Sequence, residues 1–266
     1  MEKIALIAGN GSFPYIFAQA AKNAGLSVIA IAFREETAEN LAQVVDKIYW
    51  ISVGQLKALI DIVQKEQFKK AVMAGQIGHK LLFSGIELDD ELKALITGLK
   101  DKKTDTILAA VASRIGQLGV EFIDSTTYIK QFLPQKGVLT DSKPTAEQEA
   151  DISFGKEIAK AIAGLDIGQT VVVKNKVVLS VEAIEGTDEA IHRASVYCKG
   201  GAVVIKVSKP NQDMRFDIPL IGKKTIETLI REQVAVLAIE AEKTLFLDRE
   251  YVLSEANKYS ICVVAI

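Results

Sequence analysis

Short apolar, β-branched runs alternate with helix-length amphipathic stretches through the first half of this chain, and no other feature limits the fold as much. Lys3–Ala8 precedes a helical pattern over 14–24 and a second apolar run at Ser27–Phe33; the order repeats with 47–52, a helix over 55–66 and a run at 71–75. Strands that alternate with helices build right-handed βαβ units, so a Rossmann-like parallel-sheet domain is expected here. Helical spacing over 89–99 and 104–118 and a strand over 120–123 complete it.

Pro134, Gly137, Asp141, Ser142 and Pro144 then gather in a stretch without periodicity. Such turn residues mark a linker, which divides the chain into a Rossmann-like domain at 1–133, a linker at 134–144 and a mixed α/β domain at 145–266. In the second half a helix over 146–163 is followed by strands at 170–174 and 177–183, joined through Asn175-Lys176 as a hairpin. A helix over 187–199, a strand over 202–207, an extended segment at 213–218, a helix over 224–232 and strands at 234–239 and 261–266 follow. The expected fold class is two-domain α/β.

Composition narrows the function classes. The 32 basic and 34 acidic residues are interspersed and leave a net charge of −2, so no basic footprint for nucleic acid is present. Cys198 and Cys262 lie far apart with no CxxC spacing, which suits a reducing cytoplasm. The N-terminal run passes from strand directly into glycine, so it is expected to be mature structure rather than a signal peptide. No stretch approaches the roughly 20 apolar residues of a membrane helix; contact with lipid is expected to be peripheral only.

Gly9-Asn10-Gly11-Ser12-Phe13-Pro14 ends the first strand and opens the first helix, where Gly9, Gly11 and Ser12 can present backbone N–H groups to a phosphate. The third glycine of GxGxxG is replaced by Pro14, and a tight strand-to-helix turn without ligand is the competing reading. Arg34-Glu35-Glu36 stands where a ribose-binding acid or a 2′-phosphate arginine of an NAD(P) oxidoreductase falls; a solvated charged loop after the strand is the favoured reading. His79 and His192 are the only histidines, too few and too separate for a metal site. Lys80 follows a strand end and is a candidate phosphate contact, whereas His192 lies inside a helical pattern.

The richest stretch runs from Lys206 to Pro219. If 213–218 is extended, Asp213, Arg215 and Asp217 share one face and Met214, Phe216 and Ile218 the other. At about 3.3 Å per residue the two aspartates stand about 13 Å apart, each about 6.6 Å from Arg215. One aspartate is then free for metal or water activation and the other is its partner; a solvated face with a surface ion pair is the bland alternative. Glu182, Gly186, Thr187, Asp188 and Glu189 form a second acidic group. Thr187 can be an N-cap with two acids complementing the helix dipole, or Gly186 and Thr187 can hold phosphate with Glu182 or Asp188 as metal ligand.

Taken in order, Ala8-Gly9-Asn10-Gly11, Asp166-Ile167-Gly168-Gln169, Val181-Glu182-Ala183, Glu185-Gly186-Thr187-Asp188, and Lys206 with Gln212-Asp213-x-Arg215-x-Asp217-x-Pro219-x-x-Gly222 resemble the LpxI family over nearly the whole chain. The resemblance implies cytoplasmic, Mg²⁺-assisted hydrolysis of UDP-2,3-diacylglucosamine, a UDP-linked diacylated glucosamine, to UMP and 2,3-diacylglucosamine 1-phosphate in lipid A synthesis. Water attacks the sugar-side phosphorus. It assigns the catalytic aspartate to Asp217, with Asp213 the alternative and Arg215 in the same motif. Substrate contacts are expected from Gly9, Gly11, Ser12, Lys80, Gln169, Gly186, Thr187, Lys206 and Gln212, and Mg²⁺ is expected at Asp217 with Glu182 or Asp188. A homodimer is the default assembly, peripheral at the inner membrane face. An NAD(P)-dependent oxidoreductase and a non-catalytic UDP-sugar or lipid-binding protein are the other function classes. The segments 76–80 and 102–105 depart from the family pattern.

Overall fold

A computed structural model describes residues 1–77, 86–101 and 103–266, the side chains of Thr104 and Asp105 excepted. Lys80 and His79 lie outside the described residues. The chain separates into two compact units, Met1–Lys130 with Asp213–Asp217, and Gln131–Gln212 with Ile218–Ile266.

The first unit is built on a five-stranded sheet of β1 (Lys3–Ala8), β2 (Ser27–Phe33), β3 (Lys47–Ile51), β4 (Lys70–Ala74) and β5 (Glu121–Phe122). Their order is β3-β2-β1-β4-β5 and every pairing is parallel. The helices are α1 (Phe13–Asn23), α2 (Leu56–Glu66), α3 (Asp90–Thr97) and α4 (Thr104–Gly116). Ala5, Ile7, Ile29 and Ile31 alternate onto one face and pack with Leu59, Ile60 and Val63 of α2 and Ile115 of α4. Ile4, Leu6, Val28 and Ala30 fill the opposite face, and α1 lies against β1, β2 and β4. Burial on both faces explains the near-continuous apolar runs. The direction in which successive strands are added across the sheet reverses between β1 and β4, which places the loops after both strands at a topological switch point.

The second unit carries a mixed six-stranded sheet in the order β6-β13-β11-β9-β7-β8. Its strands are β6 (Gly137–Val138), β7 (Thr170–Lys174), β8 (Val177–Val181), β9 (Val203–Lys206), β11 (Val236–Ile239) and β13 (Cys262–Ala265). Strands β9, β11 and β13 are parallel; β6, β7 and β8 pair antiparallel. A separate parallel pair joins β10 (Leu220–Ile221) to β12 (Leu245–Phe246). One sheet face packs Val171, Val173, Val203 and Ile205 under α5 (Ala146–Gly164). The other packs Val172, Val204, Leu237 and Val263 under α6 (Thr187–Cys198), α7 (Lys223–Arg231) and α8 (Arg249–Lys258). Asn175 and Lys176 take φ of 53° and 58°, the primed turn a two-residue hairpin needs. The buried Asp151 carboxylate accepts both turn amides, at 2.9 and 2.6 Å.

Two expectations are corrected. Residues 213–218 are not extended: the Asp213 carbonyl accepts the N–H groups of Phe216 (3.1 Å) and Asp217 (3.3 Å), closing a turn. Asp213, Arg215 and Asp217 therefore do not share a strand face, and the turn groups with the first unit rather than with the domain at 145–266. Thr187 is not an N-cap: Gly186, at φ 89°, holds that position, and the Thr187 hydroxyl is used elsewhere.

Candidate active site

In the second unit the carboxyl end of β9 gathers residues from four separate motifs. Lys206, the last residue of β9, is only 8% exposed. Its Nζ donates to Thr187 Oγ1 at 2.7 Å, and that hydroxyl donates to Glu182 Oε1 at 2.8 Å. The Gln169 N–H donates to Glu182 Oε2 at 3.2 Å, and Thr170, paired in register with Lys206, brings its hydroxyl to 3.4 Å from that of Thr187. Burial raises the Glu182 pKa, but the Lys206 ammonium and the hydroxyls of Thr170 and Thr187 outweigh it and hold the carboxyl below its usual range. The result is a buried cation and a carboxylate joined through one hydroxyl.

Local sequence explains this convergence. A Cβ at Gly168 would overlap the Glu182 carbonyl oxygen, so only glycine lets the strand entering at Gln169 pass that close to the end of β8. Asp188, in the first turn of α6, pairs with Lys224 at 2.8 Å. Gln212 accepts the Lys209 N–H through Oε1 at 2.7 Å.

In the first unit the acidic turn is fixed by buried contacts. Ser125 donates its N–H to the Met214 carbonyl at 3.0 Å and its hydroxyl meets the Arg215 carbonyl at 3.0 Å. Phe216 packs edge-on against Phe122, with ring centroids 6.1 Å apart. Arg215 grips Asp213 with both arms, Nε to Oδ1 at 2.9 Å and a terminal nitrogen to Oδ2 at 2.7 Å, and stacks over Phe216. The guanidinium holds the Asp213 carboxyl below its usual range.

The glycine loop is explained in part by packing. A Cβ at Gly9 would stand 2.5 Å from the Gln76 carbonyl oxygen, and Asn10 pairs with Gln76 across the switch point. Gly11 takes φ 92° with open space beside it, and Ser12 caps α1 without a side-chain hydrogen bond. The loop thus leaves Gly11 and Ser12 exposed, and close packing against Gln76 requires glycine at position 9. Arg34 donates to the Trp50 carbonyl at 2.9 Å and Glu35 accepts from Ser52 and Val53. These contacts tie β2 to the end of β3 and explain two of the three charges that suggested a ribose site.

Two family models match nearly the full length, the LpxI N-terminal domain over residues 3–132 and the LpxI C-terminal domain over residues 135–264. The chain belongs to the LpxI family. It is 29% identical over 278 residues to UDP-2,3-diacylglucosamine pyrophosphatase LpxI of Caulobacter vibrioides, covering 100% of this chain and 98% of that relative. Among solved structures it is similar to the biotin carboxylase subunit of pyruvate carboxylase, at 14% identity and a TM-score of 0.27, over 65% of this chain and 35% of that one. Glycinamide-RNase-transformylase T from Mycobacterium tuberculosis gives 12% identity and 0.27, over 52% and 38%.

Of the LpxI-type residues expected from sequence, Gln169, Glu182, Thr187 and Lys206 meet in one hydrogen-bonded cluster. Asp213 and Arg215 meet in the first unit. Thr170, Lys160, Ser208 and Glu240 were not expected. The only sequence signal for Ser208 and Glu240 is that each lies just past the carboxyl end of a parallel strand, where open α/β folds place ligands. His192 is exposed on α6 and bonds Glu232 at 3.0 Å, a helix-surface contact.

Proposed function

We propose that this chain hydrolyses the diphosphate of UDP-2,3-diacylglucosamine to UMP and 2,3-diacylglucosamine 1-phosphate, a step of lipid A synthesis, and that its first unit is a Rossmann-like nucleotide-binding fold. The observation that carries this reading is the Gln169–Glu182–Thr187–Lys206 cluster, in which residues from the separate motifs of the LpxI resemblance come together at a strand end. Substrate identity rests on the name of the full-length relative.

Lys206 supplies a fixed positive charge for the diphosphate oxygens, already held in place before substrate arrives. Thr187 holds that ammonium in place, accepting from Lys206 while donating its own proton to Glu182. Water adds to the sugar-side phosphorus, the bridging P–O bond breaks, and UMP leaves. Asp217 orients that water or takes its proton. Asp213 is the alternative, and both of its oxygens bind Arg215. Beside the cluster a groove of about 500 Å³ is lined by Ile167, Val181, Ala183, Glu185, Glu189 and Arg193, with Ile184 exposed nearby. Its apolar wall suits an acyl chain.

Magnesium fits some of these carboxylates better than others. Glu182 does not fit: its oxygens hold Thr187 and the Gln169 amide, and Lys206 balances its charge. Asp188 fits, since its partner Lys224 is 85% exposed and easily displaced. Among the described residues no three His, Cys, Asp or Glu side chains converge, but Mg²⁺ needs only one or two carboxylates when phosphate oxygens and waters complete its shell. Asp217 or Asp188 would hold it, and when bound it would neutralise charge on the diphosphate.

The test is to incubate the purified chain with UDP-2,3-diacylglucosamine and Mg²⁺ and measure UMP and the lipid 1-phosphate. Release of both is expected. Tight binding of substrate by the folded chain without release would identify a binding protein instead, and nicotinamide reduction would identify an oxidoreductase.

A further inference from the structure

A second charged network stands at the same sheet edge and is used by none of the roles above. Glu240, the first residue after β11, is 7% exposed, and its Oε2 accepts three hydrogen bonds: from Lys160 Nζ of α5 at 2.6 Å, from the Ser208 N–H at 2.8 Å and from the Ser208 hydroxyl at 2.8 Å. Lys160 Nζ also donates to the Ser208 carbonyl at 2.9 Å, and Lys243 meets Glu240 Oε1 at 3.0 Å. Every polar group of the fully buried Ser208 is thus tied to this pair.

Ser208 lies two residues after Lys206 and four before Gln212. On one side the Val207 N–H donates to the Gln169 carbonyl at 2.9 Å, and on the other Lys209 pairs with Asp166 at 2.8 Å while its N–H is held by Gln212. The segment leaving β9 is therefore tethered at each residue from 206 to 209. Glu240 is buried and Lys160 half-buried, and such a pair is a poor source of net stability, because desolvation consumes much of the attraction. Its presence at this point calls for a positional explanation.

We propose that Glu240 and Lys160 are positioning residues that lock the backbone of residues 207–212, so that Lys206 and Gln212 are presented to the diphosphate in fixed geometry. The proposal rests on the hydrolase reading above for its activity arm. Neither residue touches the reacting atoms. Misplacement of a preorganised group lowers turnover more than ground-state binding.

The experiment compares Glu240→Gln, Lys160→Met and Lys160→Arg in the full-length chain. Two readouts are taken: steady-state UMP release and native-state hydrogen exchange of the backbone amides at 207–212, Pro210 having none. Glu240→Gln and Lys160→Met are expected to lower kcat by about tenfold or more, with KM within about threefold. Lys160→Arg, which keeps the cation, is expected to retain most of the turnover. Exchange at 207–212 should rise in the first two variants while β9 and β11 stay protected. A folded Glu240→Gln with wild-type kcat, or loss of protection across the whole unit, would overturn the proposal. If the wild type releases no UMP the hydrolase reading falls, and exchange alone then decides: selective loss at 207–212 supports the lock and unchanged exchange rejects it.

Discussion

Glu182 and Asp213 are carboxylates that sequence alone offers to a metal and to catalysis respectively, and the fold sets a cation beside each, Lys206 for one and Arg215 for the other. We assign the chemistry to Asp217 from its place in the Gln212–Pro219 motif. Asp217→Asn is expected to lower UMP release by about 10²–10⁴, the range a general acid–base group supplies, with an unchanged thermal melt. Asp213→Asn should cost far less, since an exposed ion pair contributes about 0–1 kcal/mol; a dead Asp213→Asn beside a fully active Asp217→Asn would reverse the assignment. Gly168 can be checked without any assay. Its missing Cβ makes room for the Glu182 carbonyl, so Gly168→Ala is expected to cost about 1–3 kcal/mol in denaturant unfolding, the usual penalty of overpacking. Lys206, Thr187 and Glu182 were legible in the sequence because each stands at the end of a clear strand or helix pattern. Lys160 was not, being one lysine among several on a helix whose polar face carries no motif.

Among elements, the strands were the most legible and the acidic turn the least. The run Asp-Met-Arg-Phe-Asp-Ile at 213–218 alternates polar and apolar residues as a half-buried strand does. The Asp213 side chain instead accepts the Arg215 N–H at 3.1 Å, and such local side-chain bonds compete with extended backbone. Helix α8 escaped notice because its buried stripe is only Val252 and Ala256. The junctions between elements also predict an acid response. Glu66 bridges Lys47 and Tyr49 of β3 to α2, Glu232 ties α7 to Ser195 of α6, and Glu240 joins β11 to α5; each has a pKa of about 2 against an ordinary 4.5. Hydrogen bonds from Lys47 and Tyr49 lower the first. In the other two burial raises the value but is outweighed by hydrogen bonds, led by Arg231 for Glu232 and Lys160 for Glu240. Below about pH 4.5 the unfolded chain binds more protons than the folded one, so stability is complete above that pH and falls as pH drops towards about 2. Urea titrations between pH 7 and 2.5 should show that loss, and Glu240→Gln should make it shallower; a wild-type profile flat to pH 2.5 would count against these ionised carboxylates.

At the scale of the whole molecule, the two-domain α/β class followed from the sequence because buried parallel strands need apolar runs and crossover helices. Strand order did not, since nothing local says that β1 occupies the centre or that β13 lies beside β6. No helix among the described residues is long and apolar enough to cross a membrane, and the groove beside Glu185 and Arg193 offers an apolar wall at the surface. The claim that joins these scales is that water, oriented by Asp217, cleaves the diphosphate at the sugar-side phosphorus. Turnover of UDP-2,3-diacylglucosamine by the folded wild type in heavy-oxygen water, with mass analysis of both products, tests it most directly. The expected result is release of UMP without label and one heavy oxygen in the 2,3-diacylglucosamine 1-phosphate; label in UMP, or no UMP at all, would contradict it.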